Sequence, residues 1–273
     1  MNQSAIHTLN LTRDFASIRA VDNVNLTVPR GSLFGFLGPN GAGKTTMLRL
    51  LLGLLEPTAG EATVLGFNSR TQADEIRSCC GALLEHTGLY ERLSAEDNLD
   101  FFGRIWQMPR AERLARNKEL LVHLQLWERR KEAVGQWSRG MKQKLAIART
   151  LLHHPQLIFL DEPTAGLDPI SALALRQDLM ALAEREGVTV FLTTHNLAEA
   201  EKVCQQVGII RGGQLLAVGT PHELRARQGS TRLEVVGHGF TDEVIQLLQA
   251  RAEVARVQRV DNRLTIDLHD SHG

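Results

Sequence analysis

Three short segments of the chain are apolar at nearly every position, and each is followed by a segment with helical periodicity. The apolar segments are Ser32–Pro39, Gln156–Glu162 and Thr189–His195. Such runs are typical of strands that are covered on both faces in a parallel sheet. The helical patterns begin after Thr45, at Ser171 and after Asn196, whose side chain suits an N-cap position. This alternation of strand and helix predicts an open α/β sheet.

The rest of the pattern predicts two additions to this α/β core. The stretch of about 86–140 has little strand signal and several helical patterns. We therefore expect a helical subdomain there, inserted between core segments 5–85 and 141–225, all within one domain, 5–225. Beyond this domain, the hydrophobic pattern of residues 231–273 predicts a strand, a helix and two strands, which would form a small accessory module. The predicted fold is α/β with a mainly parallel sheet and a small α+β tail.

Composition places the chain among globular proteins and argues against several classes. Its 273 residues include 31 Lys and Arg against 31 Asp and Glu, and 43% are hydrophobic. A protein that coats nucleic acid would carry a basic surplus, so no nucleic-acid partner is expected. The three cysteines lack metal spacing and are expected to be reduced thiols. Without a secretion signal or an apolar run of about 20 residues, a soluble cytoplasmic protein is expected.

The clearest chemical motif is the segment GPNGAGKTT at 38–46, which fits the phosphate-loop pattern G-x-x-x-x-G-K-[ST]. Glycines let backbone N–H groups surround phosphate oxygens, and the helix that follows adds the positive end of its dipole. Lys44 would contact the β- and γ-phosphates, and the Thr45 hydroxyl would ligate Mg²⁺. The expected nucleotide-binding residues are those of the whole loop, Gly38, Pro39, Asn40, Gly41, Ala42, Gly43, Lys44, Thr45 and Thr46.

Polar residues end the second and third apolar segments. Asp161 can hold Mg²⁺ at the end of a strand, and the adjacent Glu162 can act as general base on an attacking water. An acidic pair alone is more typical of a solvated turn, but the phosphate loop favours the catalytic interpretation. His195 ends the third segment, at the edge where α/β sheets bind ligands, so we expect it to sense the γ-phosphate. A lone histidine at a strand end is more often structural.

Four ordered motifs resemble those of the ATP-binding subunits of ABC transporters. They are GPNGAGKTT, WSRGM at 137–141, LIFLDEPTAGLD at 157–168 and TTH at 193–195. The resemblance extends over about residues 5–220. It implies that the core has the P-loop NTPase fold and binds ATP and Mg²⁺. It also implies that the protein is an ATPase whose hydrolysis of ATP powers transport.

The WSRGM segment resembles the family's signature motif. Ser138 and Gly140 match the usual serine and glycine, which in the family contact the γ-phosphate held by the opposite subunit. Arg139 stands where the family has another glycine. We expect Arg139 to face solvent, and an additional phosphate contact is the alternative.

Three further positions take their expected roles from the resemblance. Asp168 matches the D-loop, which links the two active sites of a dimer. Phe15 matches the aromatic residue that stacks on adenine. Glu85 stands where the family normally has a glutamine that contacts Mg²⁺ and the attacking water. We hypothesise that Glu85 performs that glutamine's work as a metal ligand.

The resemblance also implies partners. A second copy of the same or a related subunit would close head to tail on two ATP molecules and separate after hydrolysis. Separate integral membrane permease chains would dock at about 86–110 and hold the protein peripherally at the cytoplasmic face of the membrane. The motifs look most like those of two-part exporters, so export is expected over import. The alternative is a soluble ABC-type ATPase that acts on ribosomes or nucleic acid.

Overall fold

A computed structural model describes residues 4–227 and 232–268 of the protein. The chain divides into two compact units, and the division falls between Pro221 and His222. The first unit contains the four motifs, and the second contains the C-terminal tail, 231–273.

A six-stranded sheet forms the centre of the first unit. Its strands are β3 (Leu33–Leu37), β6 (Cys80–Leu83), β7 (Leu157–Asp161), β8 (Thr189–Thr194), β9 (Gln206–Arg211) and β10 (Gln214–Gly219). They lie in the order β10-β9-β3-β8-β7-β6, and only β10 is antiparallel to its neighbour. The three apolar segments are therefore adjacent central strands, which confirms the predicted, mainly parallel α/β sheet.

A second, antiparallel sheet of the first unit was not predicted. It consists of β1 (Ser4–Phe15), β2 (Ile18–Pro29), β4 (Ala59–Val64) and β5 (Phe67–Asn68), in the order β2-β1-β4-β5. Its signal in the sequence is alternation, since Val24, Leu26 and Val28 are buried while Asn25 and Thr27 are exposed. One face of this sheet packs on the core, as the period of two indicates.

Nine α-helices accompany the sheets within the described ranges. They are α1 (Lys44–Leu51), α2 (Ala73–Cys79), α3 (Ala95–Ile105), α4 (Arg110–His123), α5 (Arg139–Leu151), α6 (Pro169–Glu186), α7 (Leu197–Val203), α8 (Pro221–Arg227) and α9 (Asp242–Gln249). Helix α1 packs against β2, β4 and β7 and buries Met47, Leu48, Leu50 and Leu51 completely. This packing fixes the helix that follows the phosphate loop. No helix in the described part of the chain is long and apolar enough to cross a bilayer.

Polar and aromatic contacts attach the helical middle of the chain to the rest of the first unit. The buried Arg116 guanidinium of α4 binds both carboxylate oxygens of Glu186, at the end of α6, at 2.8 and 2.9 Å. Trp106 stacks on His153, with ring centroids 3.8 Å apart. Burial lowers the pKa of His153 to about 4, so the ring is neutral at pH 7 and its Nε2–H donates to the Cys80 carbonyl at 3.1 Å.

The second unit contains a three-stranded antiparallel sheet and α9. The strands are β11 (Arg232–Val236), β12 (Val254–Val260) and β13 (Arg263–Leu268), in the order β11-β13-β12. Val257, Leu264 and Ile266 form its small buried core, with side chains of α9 packed against them. The strand–helix–strand–strand order of the tail is the one that the hydrophobic pattern predicted.

Candidate active site

The carboxyl ends of three neighbouring strands meet at one edge of the six-stranded sheet. Leu37 of β3 pairs with Thr194 of β8, and Asp161 of β7 pairs with Thr193. The residues that follow these strands therefore share one edge, as expected for a doubly wound sheet. A cavity of about 560 Å³ opens there, and it is lined by residues of the phosphate loop together with Glu85, Asp161 and Glu162.

The phosphate loop presents the start of α1 to this cavity. Helix α1 begins at Lys44, and its N-cap residue is Gly43, which has no side chain to cap the first turn. Gly43 has a φ of 105°, and a Cβ atom there would lie 2.2 Å from the Ala20 carbonyl oxygen. Only glycine fits this position. The backbone N–H groups of the first helical turn are thus left to bind an anion.

Lys44 is held at the base of the cavity by three oxygens. Its side chain is only 6% exposed, and Nζ donates to the carbonyl oxygens of Gly38 at 2.7 Å and Pro39 at 3.1 Å. Nζ also lies 3.1 Å from Glu162 Oε1. This arrangement places a buried ammonium beside the phosphate loop, where the charge of a phosphate group would be neutralised.

The Glu162 carboxylate joins Lys44 to His195. His195 Nδ1 lies 2.9 Å from Glu162 Oε2, opposite the oxygen that faces Lys44. Glu162 has a φ of +46°, a left-handed conformation that is rare outside glycine, and its N–H donates to the Thr193 carbonyl at 3.1 Å. The turn breaks the alternation of side chains along β7, so that consecutive carboxylates at Asp161 and Glu162 both line the cavity.

Asp161 and Thr45 form a pair of oxygen ligands. The Thr45 hydroxyl donates to Asp161 Oδ2 at 2.7 Å. These two hard oxygens suit Mg²⁺, which typically takes one or two protein ligands and completes its shell with water and phosphate oxygens. Within the described residues, no group of three or more His, Cys, Asp and Glu side chains could hold a metal ion. The donors present therefore fit a metal that is bound together with phosphate.

Thr193 contacts the Asp161 carboxylate and the backbone of Glu162, and sequence reasoning did not single it out. Its hydroxyl donates to Asp161 Oδ1 and accepts from the Glu162 N–H at 3.0 Å. The signal was its position in TTH, opposite Asp161 on the neighbouring strand. A hydroxyl there can accept and donate at once, which a valine in the same strand could not do.

Glu85 lines the same cavity and forms an ion pair outside the phosphate loop. Its Oε1 lies 3.4 Å from Arg49 Nη2, and both side chains are about half exposed, 57% and 42%. Such an exposed pair contributes little to stability, about 0–1 kcal/mol. The Glu85 carboxylate is therefore free to exchange Arg49 for another cation.

Phe15, Ser138, Gly140 and Asp168 do not line this cavity, and neither do His195 and three residues of the phosphate loop, Gly38, Pro39 and Ala42. Phe15 ends β1, and its ring is covered by the Arg13 guanidinium at 4.6 Å. The cavity wall after Phe15 is formed instead by 18–20. Ser138 and Asp168 are the N-caps of α5 and α6, and Gly140 lies in the first turn of α5. Adenine stacking by Phe15 stays a prediction, as do the roles of Ser138, Gly140 and Asp168.

The turn between β9 and β10 is a part of the site that sequence reasoning missed. Gly212 and Gly213 line the cavity, and the Gly213 N–H donates to the Ala42 carbonyl at 3.1 Å. Both glycines have positive φ, 55° and 82°. The Gly-Gly dipeptide between two apolar runs was the available signal for a tight hairpin turn.

Comparison with known proteins agrees with this geometry. The family described as ABC transporter matches residues 21–165. The bacitracin transport ATP-binding protein BcrA of Bacillus licheniformis is 42% identical over 77% of this chain and 68% of its own length. The daunorubicin resistance ATP-binding protein DrrA3 of Streptomyces coeruleorubidus is 37% identical over 86% of this chain and 74% of its own. A solved ATP-binding subunit of an ABC transporter superposes with a TM-score of 0.72 at 31% identity, over 82% of this chain and 93% of its own.

Proposed function

This chain belongs to the ABC transporter family as an ATP-binding subunit, and we propose that it binds ATP with Mg²⁺ at the cavity beside the phosphate loop and couples hydrolysis to export through a separate membrane permease. The observation that carries the proposal is the arrangement of Lys44, Glu162 and His195 at the carboxyl edge of the sheet. The Glu162 carboxylate contacts Lys44 through one oxygen and His195 through the other.

The phosphate loop would bind the triphosphate. The uncapped first turn of α1 donates backbone N–H groups to phosphate oxygens, and Lys44 exchanges its Glu162 contact for a phosphate oxygen. Thr45 and Asp161 would hold Mg²⁺, which when bound neutralises negative charge on the phosphates. The residues at 18–20 and the Gly212–Gly213 turn would enclose the nucleotide from the side of the antiparallel sheet.

Glu162 would act as the general base in hydrolysis. Once Lys44 has moved to a phosphate oxygen, the Glu162 carboxylate can accept a proton from the attacking water. His195 hydrogen-bonds the other oxygen of that carboxylate, so it would orient Glu162 and sense the terminal phosphate. Catalysis of this kind depends on positioning and on the stabilisation of charge, because phosphoryl transfer to water needs no covalent intermediate with the protein.

A second copy would complete the site. Ser138, Gly140 and Asp168 lie outside the cavity of their own chain, at the starts of α5 and α6. Ser138 Oγ accepts the Met141 N–H at 3.3 Å, and Asp168 Oδ1 accepts the N–H groups of Ile170 and Ser171 at 3.1 and 3.0 Å. Both cap residues are exposed at the surface, where another chain can reach them.

The permease would dock on the helical middle of the chain. Tyr90 and Phe101 form an edge-to-face pair, 4.9 Å between centroids, and both rings remain more than a third exposed. Ile105 on the same helix is 58% exposed. An exposed apolar cluster of this kind suits a protein partner. The relatives named for bacitracin transport and daunorubicin resistance support export as the direction of transport.

Copurification tests the coupling to a membrane partner. We expect the tagged chain, extracted from its native cells in mild detergent, to retain a protein with several membrane spans. Replacing Tyr90 and Phe101 with serine should remove that protein while leaving nucleotide binding intact. Recovery of ribosomes or nucleic acid in place of a membrane protein would contradict the proposal.

Removal of the Glu85 carboxylate should change how activity depends on Mg²⁺. We expect Glu85→Ala to reduce hydrolysis severalfold and to raise the Mg²⁺ concentration needed for half-maximal rate, whereas Glu85→Gln should retain most of the activity. Arg49→Ala is the control, because it breaks the Glu85 ion pair without touching the carboxylate. An unchanged rate and unchanged Mg²⁺ dependence in Glu85→Ala would refute the role assigned to Glu85.

A further inference from the structure

Glu162 and His195 lie on two loops that follow neighbouring strands, and a second contact joins the same two loops. The Thr164 hydroxyl, two residues after Glu162, donates to Glu199 Oε2 at 2.6 Å. Glu199 lies in the first turn of α7, which begins directly after His195 and its neighbour Asn196. The two loops are therefore connected by the Glu162–His195 contact at 2.9 Å and again by the Thr164–Glu199 hydrogen bond.

A cavity of about 210 Å³ lies between these two connections, and the four residues that form them line it. An open space of this size leaves the His195 ring and the Glu162 carboxylate without close packing on that side. The His195 side chain is also 55% exposed. The sheet fixes the residues where the two loops begin, and the Thr164–Glu199 bond holds the loops together again beyond the Glu162–His195 contact.

Glu199 is itself fixed by two further contacts. Its Oε1 binds Arg176 Nη1 of α6 at 2.9 Å, and the two side chains are only 23% and 13% exposed. Its backbone N–H donates to the Asn196 side chain at 3.3 Å. A carboxylate whose two oxygens both accept charge-assisted or hydroxyl hydrogen bonds has little freedom to change rotamer. The Thr164 hydroxyl therefore meets an acceptor that is held in place.

We propose that Glu199 is a positioning residue for hydrolysis, which holds the Glu162 carboxylate against His195 through the Thr164 hydroxyl. The inference rests on the proposed function, in which Glu162 is the general base. The Ala165 N–H donates to the Glu162 carbonyl at 3.0 Å, so residues 162–165 form one tight turn, and a shift of Thr164 moves Glu162 as well. A displacement of about 1 Å in a reacting group can slow a reaction about a hundredfold.

Two substitutions at Thr164 test this role in the purified full chain. Thr164→Val keeps the shape of the side chain and removes the hydroxyl, whereas Thr164→Ser keeps the hydroxyl. We expect Thr164→Val to slow single-turnover hydrolysis of ATP about tenfold, the scale of one hydrogen bond to a charged group, and to change ATP affinity less than twofold. Thr164→Ser should hydrolyse ATP at nearly the rate of the unmodified chain. An unchanged rate in Thr164→Val, or an equal loss of rate and affinity, would overturn the proposal.

Double-mutant cycles identify the contacts through which Thr164 acts. Glu199→Ala should slow hydrolysis at least as much as Thr164→Val, and the combined variant should lose less than a further twofold, because both changes remove the same hydrogen bond. In a chain that carries His195→Ala, the Glu162–His195 contact is already lost, so Thr164→Val should again cost less than twofold. A full tenfold loss in either background would assign the Thr164–Glu199 bond to the stability of the loop alone and overturn the proposal.

Asp178→Asn is the matched control. Asp178 lies on α6, as Arg176 does, and binds Lys144 Nζ at 2.7 Å, with side chains that are 13% and 15% exposed and line neither cavity. This variant should lower the melting temperature but change the hydrolysis rate less than twofold. A rate as slow as that of Thr164→Val would overturn the proposal, because any lost ion pair on α6 would then suffice. Failure of the proposed function would look different, since the unmodified chain would hydrolyse no ATP.

Discussion

Glu162→Gln is expected to bind ATP nearly as well as the unmodified chain but to hydrolyse it at least about a hundredfold more slowly, on the scale of the loss of a general base. Glutamine keeps the shape of the side chain, and its amide oxygen can still accept from Lys44, 3.1 Å from Oε1 in the unmodified chain. The backbone turn at position 162 is held by Thr193 and does not depend on the carboxylate. The variant loses the charge of the carboxylate and, with it, the group that accepts the proton.

Two measurements separate this effect from damage to the site. Binding of ATP should be unchanged or tighter, since an amide holds Lys44 less firmly than a carboxylate and Lys44 must leave this contact to reach a phosphate. Single-turnover hydrolysis should show the hundredfold loss. His195→Gln is the companion variant, because it removes the imidazole that contacts Glu162 and leaves the carboxylate. The hydrolysis rate of this variant should fall less than that of Glu162→Gln. Normal turnover in Glu162→Gln would remove Glu162 from its role as base.

The central sheet could be predicted because its strands are apolar on both faces. Phe34, Phe36, Phe159 and Phe191 lie on three adjacent strands, and the Phe191 ring contacts the other three at 5.5 to 5.8 Å between centroids. Continuous burial of this kind leaves a clear local pattern. The antiparallel sheet has a weaker hydrophobic pattern in the sequence, because the pairing of β1 with β2 has several register irregularities. At each irregularity the period of two shifts by a residue, and the alternation is lost in a short window.

The phosphate loop was the most direct part of the candidate site to predict, because it is one contiguous motif. The phosphate loop lies in a single segment, so its pattern contains the glycines, the lysine and the helix start together. The contacts between segments could not be read in this way. Thr193 acts on Asp161 from a neighbouring strand, and Glu199 reaches Thr164 from another helix. Their importance depends on strand order and on the direction of α7, which local periodicity does not encode.

Lys44→Ala should weaken triphosphate binding itself, by about 10- to 100-fold, which is the scale of a lost hydrogen bond between charged groups. The ammonium is buried, so its attraction to a phosphate is screened less than that of a surface charge. Its removal also frees the carbonyl oxygens of Gly38 and Pro39 and raises the negative charge beside the loop, which repels phosphate.

The effect of Lys44→Ala must be separated from a loss of fold, because the Lys44 side chain fills the base of the cavity. Lys44→Met keeps the apolar stem and removes only the charge, so it should bind ATP as poorly as the alanine variant while melting closer to the unmodified chain. Lys142→Ala is the control for a lost ion pair, since Lys142 binds Glu91 at 2.7 Å outside this cavity. Isothermal titration should then show weak ATP binding in both Lys44 variants and ordinary binding in Lys142→Ala. If Lys44→Met bound ATP with unchanged affinity, the charge would have no part in holding the phosphate, and the pairing with Glu162 would be structural.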